Sequence, residues 1–202
     1  MQYGGVAWSI LFVCTANICR SAMAERLARG GLEVRLGPAA ADIVLTSAGT
    51  HGWEGAPMDP SARAVLLQRG ADPGGFVARK LTAEMVGDAN LVLCATREHR
   101  SEAVMLVPAA TRRVFTMREF GRLLTGVDPA GLRTENVAER ADAMVALAIR
   151  RRGAMPAVDP AEDDVPDPYR QPYEAFAECA QLIADSLRGP INILTDRPAR
   201  HD

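Results

Sequence analysis

The chain has 202 residues, of which 48% are hydrophobic and 24% charged, and its formal net charge is −2. These values are typical of one globular domain rather than two, and the near-neutral charge predicts no general attraction to nucleic acid or to a membrane. The sequence has no apolar run long enough to span a membrane and no basic leader before Trp8, so we predict a cytoplasmic protein without a signal peptide.

Short apolar segments alternate with helix-like segments along the chain. In chain order, the apolar and β-branched segments predict strands at residues 8–13, 43–47, 90–95 and 113–116. Helical spacing and end signals predict helices at residues 21–29, where Gly30 and Gly31 end the first, and at 59–69, 97–107, 117–125, 135–152 and 172–187. This alternation is typical of a three-layer α/β/α domain built on a four-stranded parallel sheet.

The segment of residues 121–162 is polar, rich in arginine and helix-prone. Nothing around it has the composition of a linker between domains, and the sequence contains no internal repeat. We therefore interpret residues 1–202 as one domain that carries a helical insertion at about residues 121–162. The insertion could cover a cleft, bind a partner or dimerise, and the oligomeric state stays open.

The most informative segment follows the first predicted strand. That strand ends at Cys14, five residues intervene before Arg20, and Ser21 then begins a helix. At the carboxyl end of a parallel strand, a loop that runs into a helix N-terminus directs several backbone N–H groups at one point, which suits an oxyanion. A guanidinium adds two parallel hydrogen bonds, and the same positive field favours a cysteine thiolate. The spacing alone is a weak signal, but in this context it predicts a phosphate loop with Cys14 as nucleophile.

Several segments together resemble the low-molecular-weight protein tyrosine phosphatases. They are Val-Cys-Thr-Ala-Asn-Ile-Cys-Arg-Ser at 13–21, Met-Ala-Glu at 23–25, Thr-Ser-Ala-Gly-Thr at 46–50, Val-Leu-Cys at 92–94 and Asp-Pro-Tyr at 167–169. The similarity covers residues 10–116 and 165–187. Ala16 stands where the family usually has glycine, which would cost about 1 kcal/mol if the position needs a positive φ. Ala22 replaces the family's usual proline.

The resemblance implies a role for each matching residue. Cys14, Arg20 and Asp167 would be catalytic, as nucleophile, phosphate ligand and general acid/base. The phosphate would be bound by Thr15, Ala16, Asn17, Ile18, Cys19, Arg20 and Ser21. Asn17, Ser21 and Ser47 would support the loop, and Trp53 and Tyr169 would be the walls of the substrate cleft. The implied partners are a protein that contains phosphotyrosine, and free phosphate or other oxyanions, with no cofactor.

The acid has several candidates, because Asp-Pro pairs occur at residues 59, 72, 128, 159 and 167. Asp59 is explained as a helix cap. Asp167 is preferred because Tyr169 follows it and a predicted helix begins soon after, as in the family. Asp163 and Asp164, in the same loop, remain competitors for the role of acid.

The cysteines and histidines define the remaining alternatives. Cys19 could close a reversible disulfide with Cys14 or simply pack in the loop. Cys94 and Cys179 are expected in the core, no cysteine–histidine spacing predicts a zinc site, and His51, His99 and His201 are given no chemistry. A thioredoxin-coupled arsenate reductase shares the loop but needs two relay cysteines, and the third reading is an inactive phosphotyrosine-binding module.

Overall fold

The computed structural model describes residues 8–132, 134, 136–156 and 158–196. The prediction that the chain has no signal peptide rests on residues 1–7, which lie outside the described part. His201 and the start of the predicted helix at 135 also lie outside it. Four parallel strands form the sheet: β1 (Trp8–Cys14), β2 (Ile43–Gly49), β3 (Leu91–Cys94) and β4 (Val114–Thr116). Their order is β2-β1-β3-β4, which confirms the predicted four-stranded parallel sheet.

Strand β1 lies between its two neighbours and positions the loop that follows it. Cys14 is paired with Gly49 of β2, and Val13 is paired with Cys94 of β3. The chain passes from β1 to β2 on one side and later returns to β3 on the other. The residues after Cys14 therefore lie at the switch point of the sheet, where open α/β sheets bind their ligands.

Helices cover both faces of the sheet and bury alternate residues of β1. The larger core includes Phe12 and residues of α1 (Arg20–Leu36), α2 (Pro60–Gln68), α5 (Met117–Leu123), α6 (Val137–Ala154) and α7 (Tyr173–Thr195). The smaller core includes Val13 and residues of α3 (Ala83–Asp88) and α4 (Arg97–Leu106). This arrangement confirms the three-layer α/β/α prediction.

Two helix ends and one helix differ from the sequence predictions. Helix α1 does not end at Gly30 and Gly31 but continues to Leu36, where Gly37 adopts a φ of 57°. A Cβ at Gly31 would lie 2.9 Å from Ile191 Cδ1, so the absence of a side chain there permits close packing against α7. Helix α7 continues to Thr195 instead of ending near 187, and α3 was not predicted.

Helix α6 accounts for much of segment 121–162 and belongs to the larger core. Val137, Met144 and Ala148 of α6 are buried in that core. Arg140, 1% exposed, donates from Nε and Nη2 to the Leu194 carbonyl of α7 at 3.1 and 2.9 Å. Short 3₁₀ helices, Pro129–Leu132 and Pro160–Asp163, flank α6. That this segment is an insertion stays a prediction.

Candidate active site

The loop between β1 and α1 turns its carbonyl groups outward. The carbonyls of Cys14, Thr15, Ala16 and Ile18 accept N–H groups of residues 50, 51, 53 and 59 at 2.9 to 3.1 Å. Within the described part of the chain, no hydrogen bond engages the backbone N–H groups of residues 15–20. Because buried N–H groups normally have partners, this loop is arranged to receive an acceptor from outside the protein.

Asn17 and Gly49 hold this loop in shape. Asn17 adopts a φ of 60°, its Nδ2 donates to Ser21 Oγ at 2.8 Å and to Ser47 Oγ at 2.9 Å, and its Oδ1 accepts the Arg79 N–H at 2.8 Å. A Cβ at Gly49 would lie 2.3 Å from the Thr15 carbonyl oxygen, so only glycine fits beneath the loop. The strain considered at Ala16 does not arise, because the positive φ falls on Asn17.

A buried chain of hydrogen bonds reaches the sulfur of Cys14. Ser47 Oγ donates to Glu25 Oε2 at 2.7 Å, and Asn17 Nδ2 donates to both serine hydroxyls. Since Ser21 Oγ accepts from Asn17, its own proton is free to point at Cys14 Sγ, 2.9 Å away. This direction suits a thiolate. No role was predicted for Glu25, although it lies within the Met-Ala-Glu motif at the start of α1.

Arg20 joins the loop to the acidic segment. Its Nη2 contacts Asp167 Oδ2 at 2.9 Å and Thr15 Oγ1 at 3.1 Å, and its Nη1 donates to the Val165 carbonyl at 3.3 Å. Arg20 is 4% exposed, and its Nε has no partner in the described part of the chain. An oxyanion in the loop would supply the missing acceptor.

His99, for which no chemistry was predicted, supports this arginine through Thr15. Its Nε2 lies 2.9 Å from Thr15 Oγ1, and its Nδ1 lies 2.6 Å from Thr96 Oγ1. Burial, with a smaller effect of the Arg20 charge, lowers the pKa of His99 to about 4, so the ring is neutral near pH 7. In the sequence, the only sign of a fixed position for His99 was Thr96 three residues earlier, which caps α4.

The three candidate acids have different surroundings. Asp163 forms a two-pronged ion pair with Arg122, at 3.0 and 3.1 Å, and Asp164 Oδ1 accepts the Arg97 backbone N–H at 2.8 Å. Asp167 instead lines the same pocket as Cys14 and Arg20, and its side chain is 48% exposed. The geometry therefore brings Asp167, and neither competitor, to the loop.

The loop forms the base of a pocket of about 220 Å³. The pocket is lined by Cys14, Thr15, Ala16, Ile18, Cys19, Arg20, His51, Trp53, Asp167 and Tyr169. Trp53 and Tyr169 meet edge to face with ring centroids 5.6 Å apart, and the Arg170 guanidinium lies 5.2 Å from the Tyr169 ring centroid. The structure thus brings both aromatic residues to one entrance, together with His51, which sequence reasoning did not select.

The other three cysteines are buried. Burial raises the pKa of Cys19 well above its usual range and raises that of Cys179 to about 12. Cys94 lies in the smaller core on the opposite face of the sheet from Cys14, where burial also raises its pKa. All four are free thiols, and within the described residues no cluster of acids, histidines and cysteines could hold a metal ion.

Sequence comparisons place these features in a known group. The model of the family described as low molecular weight phosphotyrosine protein phosphatase matches residues 9–128. The probable low molecular weight protein-tyrosine-phosphatase EpsP of Ralstonia nicotianae is 36% identical over 175 residues, which are 87% of this chain and 88% of EpsP. The low molecular weight protein-tyrosine-phosphatase Etp of Escherichia coli is 39% identical over 100 residues, which are 50% of this chain but only 62% of Etp.

Solved structures have the same fold. The tyrosine phosphatase Wzb of Escherichia coli K30, in complex with sulphate, is 24% identical with a TM-score of 0.64, covering 93% of this chain and 98% of Wzb. The YwlE arginine phosphatase of Geobacillus stearothermophilus is 24% identical with a TM-score of 0.63, covering 92% of this chain and 91% of YwlE. No helix in the described residues is long and apolar enough to cross a membrane. By its sequence match, this chain belongs to the low molecular weight phosphotyrosine protein phosphatase family.

Proposed function

We propose that this protein hydrolyses phosphotyrosine in proteins through a cysteinyl-phosphate intermediate. The observation that carries the proposal is one pocket in which Cys14, Arg20 and Asp167 surround a loop with unengaged N–H groups. The complex of Wzb with sulphate supports oxyanion binding by a protein of this fold. The four free thiols also suit the reducing cytoplasm, where we place the protein.

In the first step, the substrate phosphate takes the place of Asp167 as the partner of Arg20. It accepts hydrogen bonds from the N–H groups of residues 15–20. Cys14 Sγ then attacks phosphorus, a sulfur–phosphorus bond forms and the bond from phosphorus to the tyrosine oxygen breaks. The electron pair of the broken bond stays on that oxygen, which takes a proton from the Asp167 carboxyl. Once the phosphate has displaced it from its 2.9 Å ion pair with Arg20, the Asp167 carboxylate takes up from solvent the proton that it then transfers.

In the second step, the Asp167 carboxylate takes a proton from water while the water oxygen attacks phosphorus. The phosphorus–sulfur bond breaks, its electron pair returns to Cys14 Sγ, and inorganic phosphate leaves. The Ser21 hydroxyl, 2.9 Å from that sulfur, stabilises the departing thiolate by donating its proton in a hydrogen bond. Arg20 and the loop N–H groups stabilise the phosphoryl charge in both steps.

The walls of the pocket favour phosphotyrosine, with its phenyl ring, over other phosphorylated side chains. Trp53 and Tyr169 form an apolar entrance against which a flat ring can pack. A phosphoarginine is the second candidate substrate, because arginine phosphatases share the fold. Its guanidinium would need hydrogen-bond acceptors, however, and Asp167 is the only carboxylate that lines the pocket among the described residues.

The two other readings have less support. An arsenate reductase relay needs two further reactive thiols that can reach Cys14. Cys94 faces the opposite core, and Cys179, although it packs in the same core as Cys14, has a pKa raised by burial to about 12, which disfavours its thiolate. A binding module without activity would have no use for Asp167 beside Cys14. The same buried, protonated Cys19 makes a poor partner for a rapid disulfide, so its redox role stays a prediction.

The test compares peptides carrying phosphotyrosine, phosphoarginine or phosphoserine, and arsenate, as substrates of the purified protein. We expect phosphotyrosine to have the highest kcat/KM, and Cys14→Ser to abolish its turnover. Asp167→Ala should lower kcat more for phenyl phosphate than for p-nitrophenyl phosphate, whose leaving group needs less protonation. A preference for phosphoarginine, or turnover that survives Cys14→Ser, would reject the proposal.

A further inference from the structure

A second pocket, of about 210 Å³, lies among α4, α5, α6 and the segment that follows α6. It is distinct from the Cys14 pocket and shares none of its lining residues. The charged side chains that line it are Arg97, Arg100, Arg122, Arg152, Glu119 and Asp163. Four guanidinium groups therefore converge on one concave site with only two carboxylates.

Each of the two carboxylates is engaged by one arginine. Asp163 accepts three hydrogen bonds from Arg122 at 3.0 to 3.2 Å, and Glu119 accepts two from Arg152 at 2.8 and 3.0 Å. Within the described residues, Arg97 and Arg100 form no ion pair with a carboxylate, and the one bond of the Arg100 side chain runs from Nε to the Val114 carbonyl. The pocket therefore retains two uncompensated positive charges.

Two arginines at the back of the pocket, Arg122 and Arg152, are held in place by their carboxylate partners before any ligand arrives. The Arg152 guanidinium stacks 3.5 Å from the centre of the Phe115 ring and donates to the Val114 carbonyl at 2.8 Å. Burial lowers the pKa of Arg152 from its ordinary value, with a smaller lowering effect of the nearby Arg100 charge. Preorganised guanidinium groups lose little entropy when they bind an oxyanion.

We propose that this pocket is a second anion site, which takes a phosphate group on Arg97 and Arg100 with Arg122 and Arg152 behind them. Planar guanidinium groups match the oxygen spacing of phosphate, and a dianion would balance the two surplus charges. The site does not depend on the chemistry of Cys14, so it goes beyond the proposed function.

The second pocket is close to the catalytic pocket along the chain. Asp163 lines the second pocket and Asp167 lines the first, so their Cα atoms lie at most about 14 Å apart. Arg97 also donates its backbone N–H to Asp164 Oδ1 at 2.8 Å. The phosphate group that binds the second pocket has two possible sources. It is either a free anion or, because the two pockets are close, a second phosphorylated side chain on the same substrate protein.

The first test measures sulfate binding by calorimetry to Arg20→Ala, whose catalytic loop lacks its guanidinium. We expect one saturable sulfate site, weakened tenfold or more when Arg97→Gln and Arg100→Gln are added, because two charge-assisted contacts are lost. Arg150→Gln, an exposed arginine of α6 outside the pocket, is the matched control and should have no effect. If Arg20→Ala does not fold, the Nε–H NMR signals of Arg97 and Arg100 in the unmodified protein report the same binding.

A second experiment distinguishes a free anion from a second phosphorylated side chain as the ligand, and it rests on the proposed function. Peptides with one or two phosphotyrosines are titrated into Cys14→Ser protein, which cannot turn them over. If the doubly phosphorylated peptide binds more tightly than the singly phosphorylated one, and Arg97→Gln and Arg100→Gln remove this difference, the site binds the substrate. If sulfate binds but the second phosphotyrosine does not increase affinity, the site binds a free anion. Absence of saturable sulfate binding, or binding that ignores Arg97 and Arg100, overturns the site itself.

Discussion

Gly49 shows how one residue on a neighbouring strand shapes the phosphate loop. Any Cβ there would lie 2.3 Å from the Thr15 carbonyl oxygen and 2.8 Å from the Asn17 nitrogen, both of which are backbone atoms that cannot move aside cheaply. The Thr-Ser-Ala-Gly-Thr motif was found in the sequence, but the reason for its glycine became visible only with the strand register that pairs Cys14 with Gly49.

We therefore predict that Gly49→Ala lowers kcat/KM for p-nitrophenyl phosphate at least about tenfold, since displaced loop N–H groups no longer meet the phosphate oxygens. Steady-state kinetics and the inhibition constant of phosphate measure the effect. Gly30→Ala is the matched control, because nothing lies within 4 Å of a Cβ there. That control should keep full activity and gain about 0.5–1 kcal/mol of stability in α1. Unchanged kinetics in Gly49→Ala would show that the loop tolerates the displacement.

His99 predicts a specific dependence of stability on pH. Its folded pKa, about 4, is lower than the ordinary 6.5, so the unfolded chain binds more protons between these values. The contribution of His99 is complete above pH 6.5 and declines as the pH falls towards 4, by about 2 kcal/mol at pH 5. Urea unfolding of the protein and of His99→Gln at pH 7 and pH 5 tests this, because the variant should lose correspondingly less stability. Equal losses in both proteins would contradict the assignment.

At the scale of elements, the end signals of helices were the least informative part of the sequence. Asp59 caps α2 as predicted, with its Oδ1 2.8 Å from the Ser61 N–H, because a cap is a local interaction. Gly30 and Gly31 did not end α1, and Gly31 instead permits close packing against Ile191 of the distant helix α7. Local chemistry could be predicted from the sequence, whereas packing between elements far apart in the chain could not.

The segment that carries Asp167 is held by the elements around it. The Val165 N–H donates to the Ala95 carbonyl at 2.8 Å, and Arg118 Nη1 of α5 donates to the Asp164 carbonyl at 2.8 Å and to that of Ala161 at 3.3 Å. These bonds connect the Asp167 segment to the residue after β3 and to α5, so Arg118 would position the proposed acid.

We predict that Arg118→Gln lowers kcat for phenyl phosphate by roughly tenfold, with a smaller loss for p-nitrophenyl phosphate and little change in KM. The reason is that a loosened segment presents Asp167 less often to the leaving group. Amide exchange at Val165 should become faster in the same variant. Arg63→Gln, an exposed arginine of α2, is the control. If both substrates lost activity equally, Arg118 would act on something other than proton transfer.

For the whole molecule, the α/β fold and the loop of Cys14 could be predicted because both depend on short, contiguous patterns. Asn17, Ser21 and Ser47 were predicted as supporting residues, but Glu25, His99 and Arg79 were not, because they act on the loop or on Ser47 from three separate elements or loops. The same limit applies to α6. Its sequence predicted a helix, but its place in the larger core depends on contacts such as Trp8 Nε1 with Asp142 Oδ1 at 2.8 Å.

Arg140 provides the test of whether α6 unfolds together with the rest of the molecule. Its guanidinium is 1% exposed and donates to the carbonyls of Leu194 and Thr134. Arg140→Ala leaves the Leu194 carbonyl without these donors, and we expect a loss of about 3 kcal/mol of stability, with a fall in Tm of roughly 6–12 °C. Arg150→Gln, on the exposed side of the same helix, should leave Tm unchanged.

The fluorescence of the two tryptophans reports the unfolding of two different regions of the molecule. Trp8 contacts α6 through Asp142, whereas Trp53 stands at the entrance of the Cys14 pocket. In the backgrounds Trp53→Phe and Trp8→Phe, fluorescence therefore reports each region separately during heating. Because α6 contributes Val137 and Met144 to the same core as Phe12, we expect both signals to change at one temperature, lowered equally by Arg140→Ala. A Trp8 transition that comes first and leaves the Trp53 signal and the activity intact would instead define residues 121–162 as a separately folding unit.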